Sequence, residues 1–462
     1  MSGRPWEIVV GDVRRVLRDM PAVSFDAAFA DPPYGISMGG ARWDYDVPSV
    51  NVFVEVLRVL KPGAYSFFFG GTRTFHRMAV NIEDAGFFPV DLCLWLYGSG
   101  LGKSVDVGKM IDRMKDTREE VLQITRWIRE VSRRKRISNA DINEHFDMVG
   151  MAGHWTTLKS QPLVPTAEQW PRLLKLLGEE PSPEIKALAD KINREKGRPG
   201  DAWFAREKIG EEERVSGSYA PSKRATTRMR DITLAAQPES ARWSGYGNLL
   251  KPAWEPIGLF LKMHEGSIAE NVIKHGVGGL DVDACRIPVD KGKPRFPANV
   301  AFDEEAGAML DQQSGNRRGM SGGGKHRVGY RGGMFGAIDS TTTARGDQGG
   351  ASRFFYSTKV SREERDRGLD DFEAPEDGGA KNGHLSLKPI DLCRCYARML
   401  LPPPRADGKP RRILVPWSGT SSEMIGALQA GWDEVVGIEL VPKHAEWARA
   451  RIAKGQIIRH AK

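Results

Sequence analysis

Four consecutive residues, Asp31, Pro32, Pro33 and Tyr34, stand directly after an apolar run from Phe25 to Ala30. A carboxylate followed by the carbonyl of a proline offers two hydrogen-bond acceptors in a rigid frame, because proline fixes its own φ and restricts the residue before it. Such a pair can hold both hydrogens of an exocyclic nucleobase amine. It thereby draws the nitrogen, whose lone pair is delocalised into the ring, toward the tetrahedral shape that makes it a nucleophile. The prolines also remove two N–H donors that would repel an incoming amino group. Tyr34 then offers a flat face on which an extruded base can stack. Asp and Pro are common in ordinary turns as well, and it is the position straight after a strand that favours the chemical reading.

A second constellation lies near the other end of the chain. The strand Ile413 to Pro416, then Trp417, Ser418, Gly419 and Thr420, then a helix, is an arrangement that lets backbone approach a nucleoside closely. One strand later, after Val436, Gly437 and Ile438, comes Glu439. A carboxylate at that strand tip is suited to hold both hydroxyls of a ribose. Gly419 alone would signify only a turn; paired with Glu439 it signifies a site.

These residues must be positioned by the surrounding elements. The pattern predicts a strand over 7–10, a helix capped by Asp12 with Val13, Val16, Leu17 and Met20 at helical spacing, and a strand over 25–30. It continues with a helix over 50–60, a strand over 64–70, a helix over 73–85 and a strand over 89–97. The same alternation returns with a strand over 353–358, a helix over 388–400, a strand over 411–416, a helix over 422–430, a strand over 434–438 and a helix over 442–454. Strands alternating with helices imply an α/β fold whose parallel sheet is covered on both faces.

Between the two halves the rhythm breaks. Residues 118–175 are helical and charged, with the run Arg133, Arg134, Lys135, Arg136, a helix from Asn139, a break at Val149 and Gly150, and a second short helix. The segment reads either as a helix-turn-helix unit touching a nucleic acid or as a solvated helical insertion. Residues 176–235 are polar with little periodicity and read as a connector that orders on binding. Residues 313–352, which include Gly322, Gly323, Gly324 and Lys325, are too poor in apolar groups to fold alone and read as a mobile basic loop.

Lys and Arg outnumber Asp and Glu, 68 to 60, a net charge of +8 over 462 residues that favours a polyanionic partner. The four cysteines, Cys93, Cys285, Cys393 and Cys395, have no zinc or disulfide spacing, which fits packing roles in a reducing compartment and no metal site. Met1 to Val10 lacks a long apolar segment and no later run is long enough to cross a bilayer. A cytoplasmic, nucleoid-associated protein without membrane contact is expected.

The order of these motifs resembles the beta-class amino-group DNA methyltransferases, in which the catalytic segment comes first and the cofactor segment last. The resemblance covers 7–110 and 350–455: Gly11 and Asp12; Asp31 to Tyr34 with Gly35, Trp43 and Asp44; Leu60 to Gly63; His384 with Lys388 and Pro389; Pro416 to Gly419; and Gly437 to Glu439. Segments Gly102 to Asp106, Lys251 to Pro256 and His275 to Arg286 are similar to a virus- and prophage-borne branch, for which the compartment would be the host cytoplasm. The resemblance implies a Rossmann-like S-adenosylmethionine-dependent methyltransferase sheet, mostly parallel and seven-stranded, assembled from both chain ends. The catalytic half would be 1–117 and the cofactor half 353–462, with the helical insert 118–175 and the target-recognition region 176–352 between them.

It further implies methyl transfer from S-adenosyl-L-methionine to the exocyclic amine of a flipped base in double-stranded DNA, most often adenine N6, as in restriction-modification. Asp31, Pro32, Pro33 and Tyr34 would be catalytic. Pro416, Trp417, Ser418, Gly419 and Glu439 would line the cofactor pocket, with Asp12 near the adenine and Lys388 near the methionine carboxylate. Arg133, Arg134, Lys135 and Arg136 would touch DNA, helped by the segment with Ser160, Gln161 and Pro162, and a homodimer is one assembly open to the chain. The sequence departs from the family pattern at Val415, where an Asp is usual, at Trp417 in place of Phe, and at Ser421 in place of a second Gly. Other readings of the same residues are cytosine N4 methylation, RNA amino-methylation, and a decayed DNA-binding homologue with impaired cofactor binding.

Overall fold

The computed structural model describes residues 4–37, 42–98, 104–148, 150–159, 161–216, 226–289, 294–318, 347–358, 364, 366–373, 381–382 and 387–455. Val149, Ser160, Gly322 to Lys325 and His384 lie outside the described residues. The chain divides into two compact units. One comprises Met1–Leu101, Val215–Thr226 and Pro252–Lys462, the other Gly102–Arg214 and Thr227–Lys251.

The first unit is built on a nine-stranded sheet: β1 Trp6–Val10, β2 Ala27–Ala30, β3 Tyr65–Phe69, β4 Phe87–Leu96, β5 Trp254–Lys262, β6 Val300–Asp303, β7 Tyr356–Thr358, β8 Arg412–Val415 and β9 Glu434–Glu439. Their order across the sheet is β1-β9-β8-β2-β3-β5-β4-β6-β7. Neighbours pair in parallel except around β5, which is antiparallel to both β3 and β4. This is a Rossmann-like, largely parallel α/β sheet; seven of its strands come from the two ends of the chain, and β5 and β6 come from within 176–352, the stretch expected from sequence to lie outside the sheet. Trp6 to Val10 pair residue by residue with Val435 to Glu439, and Ala27 and Ala28 pair with Ile413 and Leu414.

The seven runs read as strands from the sequence are all present, the one at 353–358 as a 3-10 turn over Ala351–Phe354 followed by β7. The sheet gains β5 and β6. The run in β5 is apolar but isolated from any helical rhythm, and β6 has only four residues, too few to show a period.

Both faces of the sheet are covered, which is why β2 is buried throughout. Ala27, Phe29, Phe67, Phe69 and Ile413 turn to one face. There they meet the helices Ile390–Met399, Ser422–Ala430 and Pro442–Gly455 through Leu392, Met424 and Ala448. Ala28, Ala30, Phe68 and Leu414 turn to the other, against helices Val13–Asp19, Val50–Val59 and Phe75–Asp84 through Leu17, Phe53 and Met78. The alternation of faces follows from the two-residue period of a strand. Each of the four fully buried phenylalanines of β2 and β3 contributes about 1.5–3 kcal/mol of burial.

The second unit has its own core. Helices Arg118–Lys135, Asn139–Phe146, Met151–Thr156, Gln169–Leu177 and Pro183–Arg194 close on Ile124, Ile128, Phe146, Trp155, Trp170 and Leu173. The stretch 176–235, expected from sequence as an unstructured connector, differs: it carries helix Pro183–Arg194, with a serine cap and a first-turn proline, and the paired strands Lys208–Ser216 and Thr226–Thr233. Ala189 of that helix is fully buried against the module's core. The cap and Pro183 are the local signals that outweigh the segment's polarity.

Candidate active site

At the carboxyl ends of the parallel strands the first unit opens into a cavity of about 630 Å³. Asp31, Pro32, Pro33 and Tyr34 line it from the end of β2. Pro416, Trp417, Ser418 and Gly419 line it from the end of β8, the strand paired to β2, and Glu439 from the end of β9. Asp12 and Lys388 complete the wall. The crevice lies where the chain runs outward in both directions, β9 on one side and β3 on the other, which is the usual ligand position in such sheets.

The loop after β2 is held from within. The Tyr34 and Gly35 amides both donate to Asp44 Oδ1, at 2.7 and 2.9 Å, and the Thr74 hydroxyl donates to the Tyr34 carbonyl at 2.5 Å. Gly35 has φ +66°, and a Cβ there would lie 2.9 Å from the Val47 amide nitrogen, so only glycine fits. Asp44, buried at the end of a 3-10 turn, thus supports the segment expected to do the chemistry.

Around Asp31 stands a compact polar cluster. The Tyr34 hydroxyl donates to Asp31 Oδ1 at 2.7 Å and approaches Glu255 Oε2 at 3.1 Å. Lys388 Nζ lies 2.9 Å from Asp31 Oδ2 and 3.0 Å from Glu255 Oε2, with its side chain 2% exposed. Burial alone would lower the Lys388 pKa, but the carboxylates of Asp31 and Glu255 reverse this and hold it firmly protonated. Burial, then the negative charges of Asp31 and Glu255, push the Tyr34 phenol well up, so it remains a donor. Tyr34 is itself mostly buried, its ring 5.2 Å from Lys388 Nζ, so it shows the cavity less of a stacking face than the sequence suggests.

The turn after β8 departs from glycine-rich expectation without losing its shape. Gly419 has φ +49° and Ser421 φ +70°, so the serine adopts the left-handed conformation that a glycine would take freely. Its amide donates to the Ser418 carbonyl at 2.6 Å and opens helix Ser422–Ala430. Ser418 and Ser422 line the cavity with buried hydroxyls that have no partner among the described residues. Trp417 packs against Phe53 at 5.8 Å between ring centres.

Glu423 also lines the cavity, although nothing in the sequence singles it out. It is 4% exposed, and burial, then the nearby Asp31 charge, raise its pKa to about 8. The signal available was a lone acid in the first turn of an otherwise apolar helix. Glu255 was hidden for a similar reason, as a single charge at the start of the apolar strand β5.

On β9, Glu439 Oε1 accepts from the Val441 amide at 2.9 Å and lies 3.4 Å from His444 Nδ1. Asp12 caps helix Val13–Asp19 by accepting from the Arg14 amide, and Gly11 donates to the Glu439 carbonyl at 2.9 Å. In the second unit, the basic run Arg133, Arg134, Lys135 and Arg136 closes the helix Arg118–Lys135, with Arg136 in the left-handed cap position. Cations there complement the carbonyl end of the helix. Arg134 is paired with Glu179, and Lys135 lies 3.9 Å from the same carboxylate.

Among the described residues no helix is long and apolar enough to cross a membrane, and no cluster of His, Cys, Asp and Glu could hold a metal ion. No family model matches the chain. Solved structures similar to it include a candidate DNA modification methylase from Thermus thermophilus, 12% identical over 97% of this chain and 95% of that one, with a TM-score of 0.35. M1.HpyAVI is 8% identical over 97% and 98% of the two chains, with a TM-score of 0.34. The cytosine-N4-specific PvuII DNA methyltransferase is 11% identical over 98% and 91%, with a TM-score of 0.36. All three likenesses are distant.

Proposed function

We propose that this chain is an S-adenosylmethionine-dependent DNA methyltransferase acting on an exocyclic base amine, adenine N6 in duplex DNA. The observation that carries this reading is the shared cavity. An Asp-Pro-Pro-Tyr loop and the Pro-Trp-Ser-Gly turn, drawn from opposite ends of the sequence, end two paired strands and face the same space.

The cofactor fits the residues present. A cavity of about 630 Å³ is in the range that encloses such ligands. The buried hydroxyls of Ser418 and Ser422 lack partners among the described residues, which is costly unless a ligand completes them. Trp417 would cover the adenosine, Glu439 would take the ribose hydroxyls, and Asp12 would stand near the adenine, with Pro416 and Gly419 shaping the turn. Bound there, the cofactor supplies an electrophilic methyl carrying an excellent leaving group.

The chain's own residues then have three tasks. Asp31 and the Pro32 carbonyl accept the two amine hydrogens and keep the nitrogen lone pair directed at the methyl donor. Pro33 and Asp44 hold that loop fixed, and Tyr34 supports Asp31 from behind through its hydroxyl. Because the leaving group is so good, positioning carries more of the rate than a strong base would. Lys388, held between two carboxylates, is a brace for Asp31 in this reading, where the sequence resemblance implies a place near the methionine carboxylate.

The reading is tested by incubating the protein with methyl-labelled S-adenosylmethionine and either unmethylated duplex DNA or RNA, then digesting to nucleosides. Label in N6-methyladenine from DNA supports it. Label in N4-methylcytosine would change the base, label only in RNA would change the polymer, and cofactor binding without transfer would favour a decayed binder.

A further inference from the structure

We propose that Glu255 is a positioning residue that shares Lys388 and Tyr34 with Asp31, so that Asp31 can release an oxygen to the incoming base amine. The inference rests on the methyltransferase reading. Strand β5 runs antiparallel to β3, which brings its first residues to the edge where β2 and β3 end. The Gly70 amide donates to the Pro256 carbonyl at 3.0 Å, fixing Glu255 beside the catalytic loop.

Two donors that engage Asp31 also engage Glu255. Tyr34 reaches Asp31 at 2.7 Å and Glu255 at 3.1 Å; Lys388 reaches them at 2.9 and 3.0 Å. Each donor is closer to Asp31, so in this arrangement both oxygens of that carboxylate are engaged. An amine that needs an acceptor there has to compete with a buried ammonium and a phenol. Were Asp31 their one acceptor, freeing it would leave a buried cation unpaired, which is among the most unfavourable events in a protein interior.

Glu255 removes that obstacle. Its Oε2 is already within hydrogen-bond distance of both groups, so they need only a small shift to transfer their weight to it. The charge balance fits. Within the trio of Asp31, Glu255 and Lys388, two carboxylates against one ammonium leave one negative charge in excess, and it can be expressed at Asp31 when the amine arrives. With a neutral residue at 255, Asp31 and Lys388 would form a closed pair with no surplus.

The test uses the full-length chain and E255Q, which keeps the shape and removes the charge. Methyl incorporation into unmethylated bacterial genomic DNA gives kcat and KM. Tryptophan fluorescence gives the S-adenosylmethionine Kd, and thermal melting reports the fold. In E255Q kcat is expected to fall 10- to 100-fold while the cofactor Kd and the DNA KM stay within about threefold of the parent. An unchanged kcat would overturn the proposal, and so would loss of cofactor affinity in step with kcat, which marks a structural role. Should E255Q not accumulate as folded protein, E255D retains the charge on a shorter arm. A 3- to 10-fold drop in kcat with unchanged cofactor Kd is then expected, and parental kcat overturns the proposal. A parent chain that binds cofactor yet methylates nothing defeats the functional reading itself, which is a separate outcome.

Discussion

Each carboxylate in the cavity is set apart by its surroundings. Asp31 is held by donors and Glu439 by a backbone amide and a histidine, whereas burial, then the neighbouring Asp31 charge, raise the Glu423 pKa from 4.5 to about 8. A carboxyl whose pKa is raised by folding takes up a proton as the chain folds. The stability it contributes is therefore full below pH 4.5 and is lost as the pH climbs to about 8. Glu423→Gln removes this dependence. Its melting temperature should exceed the parent's by a margin that widens from pH 5 to pH 8 and then levels off, and a margin independent of pH would show that Glu423 does not titrate this way. Glu439→Ala should raise the cofactor Kd at least tenfold while leaving kcat at saturation closer to the parent, as expected for a group that binds and does not react. An unchanged Kd in a calorimetric titration would remove the ribose contact. Asp31 and Glu439 were legible because each ends an apolar strand. Glu255 and Glu423 were not, because what makes them part of the site is their neighbours in space, which a lone acid in an apolar run does not announce.

At the level of elements, the strands and helices flanking the site follow the sequence period closely, since local spacing and caps determine them. What local pattern cannot supply is strand direction, so β5 appears only as an apolar run and its antiparallel insertion between β3 and β4 emerges from the fold. The turn opening helix Ser422–Ala430 shows how an element tolerates a departure. Ser421 sits at φ +70°, a conformation that costs a side-chain-bearing residue about 1–2 kcal/mol and glycine nothing. Glycine loses about 0.5–1 kcal/mol of that advantage through backbone entropy. Ser421→Gly should therefore melt at the parental temperature or a few degrees above it. Ser421→Val, whose branched side chain resists positive φ, should melt several degrees lower and bind the cofactor more weakly. A Gly variant markedly less stable than the parent would mean that the hydroxyl contact to Met424, 3.3 Å away, outweighs the backbone strain.

Over the whole molecule the chain is a sheet unit closed from both ends and a separate helical unit. The expectation of a helical insert was visible in its charge and periodicity, whereas its extension through helix Pro183–Arg194 was masked by polar composition. Arg133 and Arg136 lie exposed at the end of its longest helix. If they meet phosphates, the double variant Arg133→Ala with Arg136→Ala should bind duplex DNA more weakly. The slope of log Kd against log salt should fall by about 2, with cofactor Kd unchanged. An unaltered slope would assign these residues to helix termination alone. The fold itself depends on β1 pairing with β9 and β2 with β8, contacts between opposite ends of the chain that no local signal encodes, although the order of motifs anticipates them. That closure brings Asp31 and Gly419 to the wall of one cavity. The most direct measurement is nucleoside mass spectrometry of DNA from methylation-deficient cells expressing either the parent chain or Asp31→Ala, with cofactor binding and melting recorded for both proteins. Asp31→Ala should fold, because Glu255 still pairs Lys388, and should bind cofactor normally. N6-methyladenine is predicted with the parent and none with Asp31→Ala; equal methylation from the two proteins would contradict a catalytic role for Asp31.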